Sequence, residues 1–243
     1  MNRPVKWAAE LVDVEEASVL GVADSGYWKD HLGQAGLVPA ERDGKAQILI
    51  VAAAARFAGL GFRELSFSVL VAQPGQRTWP ESGYLIQAIN SSRLFAFCER
   101  TFFSTPYTQG NVRLGAALPA AIELAKEGRV LFRAQMEAGA STTSREPSTS
   151  GEDGGEGAVF LPGQHGHDEK RRRMFFARIR GYTRRYPFLG DRDTLEVEPS
   201  PDAPGLQALV DSHFAATEWV LRPKALHAKS KTYRRVDFLE TNR

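Results

Sequence analysis

Between Arg63 and Gln73 the chain reads "RELSFSVLVAQ", and apolar and polar side chains alternate along it. Leu65, Phe67, Val69 and Val71 fall on one face and Glu64, Ser66 and Ser68 on the other, the period-two pattern of a strand with one buried face. "MFFARIRGYTRRY" repeats the pattern, with Phe175, Ala177 and Ile179 opposite Phe176, Arg178, Arg180 and Tyr182. The run "AQILIVAAAARF" is apolar throughout, which fits either a strand buried on both faces or a helix. "YLIQAI", which follows the turn-rich "PGQRTWPESG", predicts a second strand and a hairpin with a long loop. "NVRLGAAL" and "RVLFRAQME" predict further strands, while "HFAATEWVLR" and "TYRRVDFLE" fit strands or helix ends.

Helical signals are fewer. "VADSGYWKDHLGQAGL", residues 22–37, has Asp24 or Ser25 to cap its first turn, Gly36 for its C-terminal end and Pro39 beyond. "NSSRLFAFCERTFF" has Ser91 or Ser92 as N-cap, and Leu94, Phe95, Phe97 and Cys98 as the expected buried surface, with Pro106 ending what precedes it. "ELAKEGR" around Lys126 reads as a surface helix. Residues 138–157 are almost devoid of apolar side chains and are expected to form a mobile loop joining two strands. Strands dominate and are joined by hairpins, which predicts a mainly β (α+β) protein, largely antiparallel, with a few short helices, as a single domain over 1–243. The polar strand faces have two possible destinations, water or the interior of a barrel wide enough to hold a ligand.

Composition narrows the classes. Hydrophobic content of 42% and charged content of 25% suit a soluble globular protein. No run of about 18 apolar residues exists to cross a membrane, and the acids near the N-terminus do not suit a signal peptide, so a cytoplasmic protein is expected. The single cysteine, Cys98, excludes an intrachain disulfide and is expected to be a small buried hydrophobe. A formal charge of +2 gives no ground for expecting nucleic acid as partner. The basic excess is concentrated in "EKRRRMFFARIRGYTRR" and "RPKALHAKSKTYRR", which read as a solvated face or the wall of an anion pocket. "HGHDE" places His165, His167, Asp168 and Glu169 together beside a turn, where no metal geometry is expected to be preformed; His31, His213 and His227 stand alone. No metal and no cofactor are expected, and the chain has no HExxH, CxxC pair, P-loop or GxSxG motif.

The order of segments then becomes informative. "LVPAE", an apolar run, "GLGFRELSFSV", the Gly-Tyr strand "SGYLIQAI", the helix "RLFAFCER" and "STPY" follow one another over residues 25–115. This succession resembles the acetoacetate decarboxylase superfamily, and the branch that carries Pro-Tyr where the decarboxylases have Pro-Lys. The resemblance implies an antiparallel, cone-shaped β-barrel with a central ligand pocket and a homo-oligomer. In the decarboxylases a lysine after the proline forms a Schiff base with a β-keto acid. Position by position, that lysine matches Tyr107 after Pro106, the next family lysine matches Thr108, Phe62-Arg63-Glu64 matches an aromatic-x-Glu element, and Arg100 matches the arginine of the helix. A second pocket carboxylate falls in "ILIVA", where only apolar residues stand, and a basic residue near the N-terminus has no counterpart in "LVDVEEASVL".

A phenol has no nitrogen to condense with a carbonyl, so Tyr107 forms no imine. Lys224, Lys229 and Lys231 lie in a basic tail, where no apolar surroundings for an amine are expected. The resemblance therefore implies a small-molecule protein for an organic or keto acid, lyase- or hydratase-like, with Glu64 and Tyr107 as catalytic residues and Arg63, Arg100 and Thr108 binding a carboxylate ligand. The alternative is a non-catalytic protein that binds or senses such a ligand.

Overall fold

A computed structural model describes residues 4–72, 82–137, 146–163, 172–201 and 203–239 of the chain. In chain order the elements are β1 (Trp7–Ala23), α1 (Ser25–Gly33), β2 (Val38–Pro39), β3 (Glu41–Arg42), β4 (Lys45–Phe57), β5 (Leu60–Ala72) and β6 (Ser82–Asn90). They continue with α2 (Arg93–Phe103), β7 (Tyr107–Gln109), β8 (Asn111–Gly115), β9 (Ala121–Lys126), β10 (Arg129–Gln135), β11 (Thr149–Phe160) and β12 (Arg173–Pro187). The last are β13 (Thr194–Val197), α3 (Pro204–Asp211), β14 (Ala215–Ser230), β15 (Tyr233–Arg234) and α4 (Val236–Leu239). Among the described residues no helix is long and apolar enough to cross a membrane.

The long strands close a ring. Following the hydrogen bonds, β5 pairs with β4, β4 with β1, β1 with β14, β14 with β12, β12 with β11, β11 with β6, and β6 returns to β5. All of these pairings are antiparallel except β11 with β6. A ring leaves no open edge among these strands, so their backbone groups are paired on both sides over most of their length.

Each strand contributes alternate residues to two faces. One face carries Ala17 and Val19 of β1, Ile48 and Ile50 of β4, Leu65 and Phe67 of β5, Phe176 of β12 and Trp219 of β14, all buried. This apolar face packs against Trp28 and Leu32 of α1, Leu206 and Leu209 of α3, and the second sheet β13-β10-β9-β8, which brings Phe132 edge-on to Phe67. Two helices and a sheet cannot fit within the ring, so the main core lies outside it. The other face, with Glu64, Ser66 and Ser68 on β5 and Glu16 and Ser18 on β1, points inward.

Local chemistry explains the helices. Asp24 caps α1 by accepting the Tyr27 amide at 2.6 Å, and Gly36 follows the helix at φ 62°, a left-handed conformation that costs glycine little. Ser92 caps α2 by accepting the Phe95 amide, and Ser104 ends it in the left-handed region.

Several expectations need correction. "AIELAK" is not a surface helix but strand β9, which pairs with β8 and β10 and buries Ile122 and Leu124. On α2 the buried residue is Ala96, while Leu94 and Phe97 are exposed and Cys98 is half-buried. Of the loop expected over 138–157, residues 138–145 lie outside the described residues, whereas Thr149–Gly157 belongs to β11 and is paired with β12 from Thr149↔Arg185 onward. Its glycines explain why composition misled: an added Cβ on Gly154 would lie 2.6 Å from the Ile179 carbonyl oxygen, so the close strand pairing needs the bare backbone.

Candidate functional site

Residues far apart around the ring meet inside it. Lys229 of β14 places its ammonium 5.6 Å from the ring centre of Tyr107 on β7, although β12, β11 and β6 lie between those strands. The same ammonium is 4.7 Å from the Phe103 ring and 4.6 Å from the Phe175 ring, and it is ion-paired with Glu99 of α2. Both side chains of that pair are largely covered, with 19% of each exposed. Three aromatic faces and a carboxylate around one cation make a desolvated electrostatic anchor.

Local structure aims these groups. The α2 face that looks inward carries Ala96, Glu99 and Phe103, three or four residues apart. After the left-handed turn at Ser104, Pro106 enters with no amide to satisfy, and its carbonyl accepts the Ala88 amide at 3.1 Å. Tyr107 is thereby locked beside β6, in parallel register with Ala88. Its hydroxyl donates a hydrogen bond to Glu64. Leu85, Ala88, Ala96, Leu161 and Phe175 pack with it as an apolar cluster separate from the main core.

Burial and the nearby Glu99 charge hold the Glu64 carboxyl above its ordinary value, against the Tyr107 hydrogen bond and the charges of Lys229 and His227. Burial, then the charges of Glu64 and Glu99, push the Tyr107 phenol well above its ordinary value. Glu64 thus holds a proton more tightly than an ordinary carboxyl does, and Tyr107 more tightly than an ordinary phenol. Ser66, Ser68, Leu49 and Val51 on the same inner face retain accessible surface, so solvent reaches part of the interior.

A second constellation adjoins the first. Glu16 of β1 has a side chain only 1% exposed and accepts from Arg222 at 2.6 Å, from the Ser18 hydroxyl at 2.8 Å, and bonds His227 Nε2 at 2.7 Å. Burial alone would raise its carboxyl, but the His227 hydrogen bond and charge, the Arg222 charge and the Ser18 hydroxyl together lower it to about 2. Arg222 also donates to Thr183 at 2.8 Å and lies 3.7 Å from Asp153, which Arg185 ties to Glu218.

Of the residues singled out in the sequence, Glu64 and Tyr107 are brought together. Thr108, one position on, faces the other way and accepts from Gln87 at 3.4 Å. Arg63 alternates with Glu64, is exposed, and contacts Ser91 through its backbone. Arg100 is exposed on α2; the inward neighbour is Glu99. His165, His167, Asp168 and Glu169 lie outside the described residues. Among the described residues no group of three or more His, Cys, Asp or Glu is placed to hold a metal.

The residues missed were Glu16, Glu99, Arg222, His227 and Lys229. Lys229 does not lie in a solvated tail but in an aromatic cage, because "ALHAKS" is a stretch of β14 whose Ala225, His227 and Lys229 share the inner face. That alternation was the available signal. Glu16 puts a buried carboxylate on β1, beside the stretch "ILIVA" of β4, where only apolar residues stand.

No protein-family model matches the chain, and no curated protein matches it in sequence. Solved structures match its fold. An acetoacetate decarboxylase-like enzyme from Sphingomonas wittichii RW1 aligns with a TM-score of 0.55 at 14% identity, covering 93% of this chain and 92% of that one. Acetoacetate decarboxylase from Legionella pneumophila gives 0.55 at 13% identity, with 96% and 92% covered. The enduracididine biosynthesis enzyme MppR, complexed with pyruvate, gives 0.58 at 12% identity, with 95% and 90% covered. At such identities the likeness shows a shared mainly β fold.

Proposed function

We propose that the interior of the ring is a pocket for a small organic acid of the keto-acid class, and that Glu64 and Tyr107 perform acid/base chemistry on it without an imine at position 107. The observation that carries this is the convergence of Glu64, Tyr107 and Lys229, from three different strands, with Glu99 of α2. The fold shared with MppR, a protein complexed with pyruvate, supports the ligand class.

The roles follow from charge. Lys229, whose ammonium lies 5.6 Å from the Tyr107 ring centre, anchors the ligand carboxylate, taking over the part first assigned to Arg100. An ammonium engaged by Glu99 has no lone pair to offer a carbonyl, so Lys229 serves as a charge. Glu64, whose carboxyl binds a proton more tightly than usual, is the acid, and the Tyr107 phenol is a donor to a developing oxyanion. Such a set suits enolisation, dehydration or another lyase step. The tyrosine at the turn after Pro106 favours a second reading, a protein that binds the same ligand without turnover.

Thermal-shift measurements with pyruvate, acetoacetate and a set of 2-hydroxy acids test the pocket. Ligand at 100 times its Kd stabilises by about 2.7 kcal/mol, a rise of several degrees in Tm. A flat response across the panel overturns both readings. If a ligand binds and is converted, and Glu64→Gln and Tyr107→Phe leave that conversion unchanged, the enzyme reading gives way to the binding one.

A further inference from the structure

We infer that His227, oriented by Glu16, is a general base of the ring interior and removes a proton from the carbon next to the carbonyl of a bound keto acid; this rests on the keto-acid pocket proposed above. His227 and Lys229 are two apart on β14 and so present their side chains to the same inner face. Nε2 of the imidazole is held by Glu16 at 2.7 Å, while Nδ1 has no hydrogen-bond partner among the described residues and 19% of the side chain remains accessible. A carboxylate on one ring nitrogen fixes the tautomer with the proton there and leaves the other nitrogen's lone pair free. Arg222 at 2.6 Å gives Glu16 a counter-charge besides the imidazole.

The charged and titratable groups facing His227 are Glu16 from β1, Arg222 and Lys229 from β14, Glu64 from β5 and, around Lys229, Glu99 from α2; its partners across the strands, Leu11 and Ile179, carry no charge. Glu16 and Glu64 both pair with Ala53 of β4, from β1 and β5, so the carboxylate that holds His227 and the Glu64–Tyr107 pair share the inner face, with Lys229 5.6 Å from the Tyr107 ring.

The step balances. The C–H bond breaks and its proton forms an N–H bond at Nδ1; the electron pair moves into the C–C bond as the carbonyl becomes an enolate, whose oxygen takes a hydrogen bond from Tyr107 or the Glu64 carboxyl. Reversal in D₂O returns a deuteron to carbon. No oxidant or second substrate is needed.

The experiment follows the methyl signal of pyruvate by ¹H NMR in D₂O with the full chain, alongside the pyruvate-induced thermal shift. The wild-type protein is expected to exchange the methyl protons faster than buffer. His227→Gln keeps an amide N–H to hold Glu16 but has no base, and is expected to slow exchange about 10²-fold or more with the thermal shift unchanged. Glu16→Gln, which acts through the imidazole, is expected to lower the exchange rate at saturation while the half-saturating pyruvate concentration stays put. Wild-type exchange in His227→Gln overturns the inference, as does joint loss of binding and exchange, which would make His227 a ligand contact. Pyruvate binding to the wild type with no exchange overturns this inference and leaves the pocket standing; absence of pyruvate binding overturns the pocket reading and this one with it.

Discussion

At the scale of single residues, the two inward-facing carboxylates, Glu16 and Glu64, pull in opposite directions with pH. Glu16 falls from an ordinary 4.5 to about 2 on folding, so its contribution to stability is fully present above pH 4.5 and is lost as pH falls toward 2. The shift amounts to about 3 kcal/mol. Glu64 is raised, so the folded chain binds its proton more tightly than the unfolded one, and stability declines as pH rises past the ordinary carboxylate range. Urea denaturation as a function of pH checks both signs. Glu16→Gln should cost about 3 kcal/mol at neutral pH, because Arg222 loses its nearer counter-charge and keeps only Asp153 at 3.7 Å, whereas Glu64→Gln should be neutral or stabilising there. Lys229 permits a chemical check. Borohydride reduction with pyruvate or acetoacetate is expected to leave the protein mass unchanged, and an adduct on Lys229 would remove the argument that it acts as a charge.

At the scale of elements, β11 and α2 departed from what their composition suggested, and each can be tested. If Thr149–Phe160 is a tightly paired strand, Gly154→Ala should destabilise by about 1–3 kcal/mol, since its Cβ would meet the Ile179 oxygen at 2.6 Å. Gly151→Ala, with nothing within 4 Å, should have little effect, and equal effects at the two positions would mean that the pairing is loose. On α2, Ala96→Leu should cost about 1–3 kcal/mol because Ala96 is buried against Tyr107 and Leu85. Phe97→Ser should stay within about 0.5 kcal/mol, as Phe97 is 52% exposed. Chemical denaturation of the two variants separates the face that builds the site from the face that does not. Helical period alone placed the α2 face incorrectly because Glu99 is a charged residue on the inward side, made tolerable there by Lys229 and by the Thr105 hydroxyl, which donates to it at 2.8 Å.

For the whole molecule, closure of the ring is the decisive event. β1 and β14 pair from Trp7↔Ser230 to Val22↔Ala215, so residues near the two ends of the described chain must meet before the interior exists. Such non-local pairing predicts refolding in about the millisecond-to-second range, measurable by stopped-flow fluorescence of the buried Trp28 and Trp219. A chain cut after Phe214 should lose cooperative urea unfolding, since β1 and β12 would each lose a neighbour. The sequence by itself determined the alternation of β5 and β12, the helix caps to within one residue (Asp24 or Ser25, Ser91 or Ser92) and the Pro106 stop, because each depends on a few adjacent residues, while Glu64 and Tyr107 were singled out by the order of segments that resembles a known superfamily. Alternation, however, divides a strand into two faces without saying which is inside. Tertiary structure decided that the Glu64 face points into the ring, that a basic tail delivers His227 and Lys229 there, and that Glu16 finds an imidazole 211 residues away. The physical reason is that burial of a charge is settled by its partner, and here the partners are brought together only by ring closure.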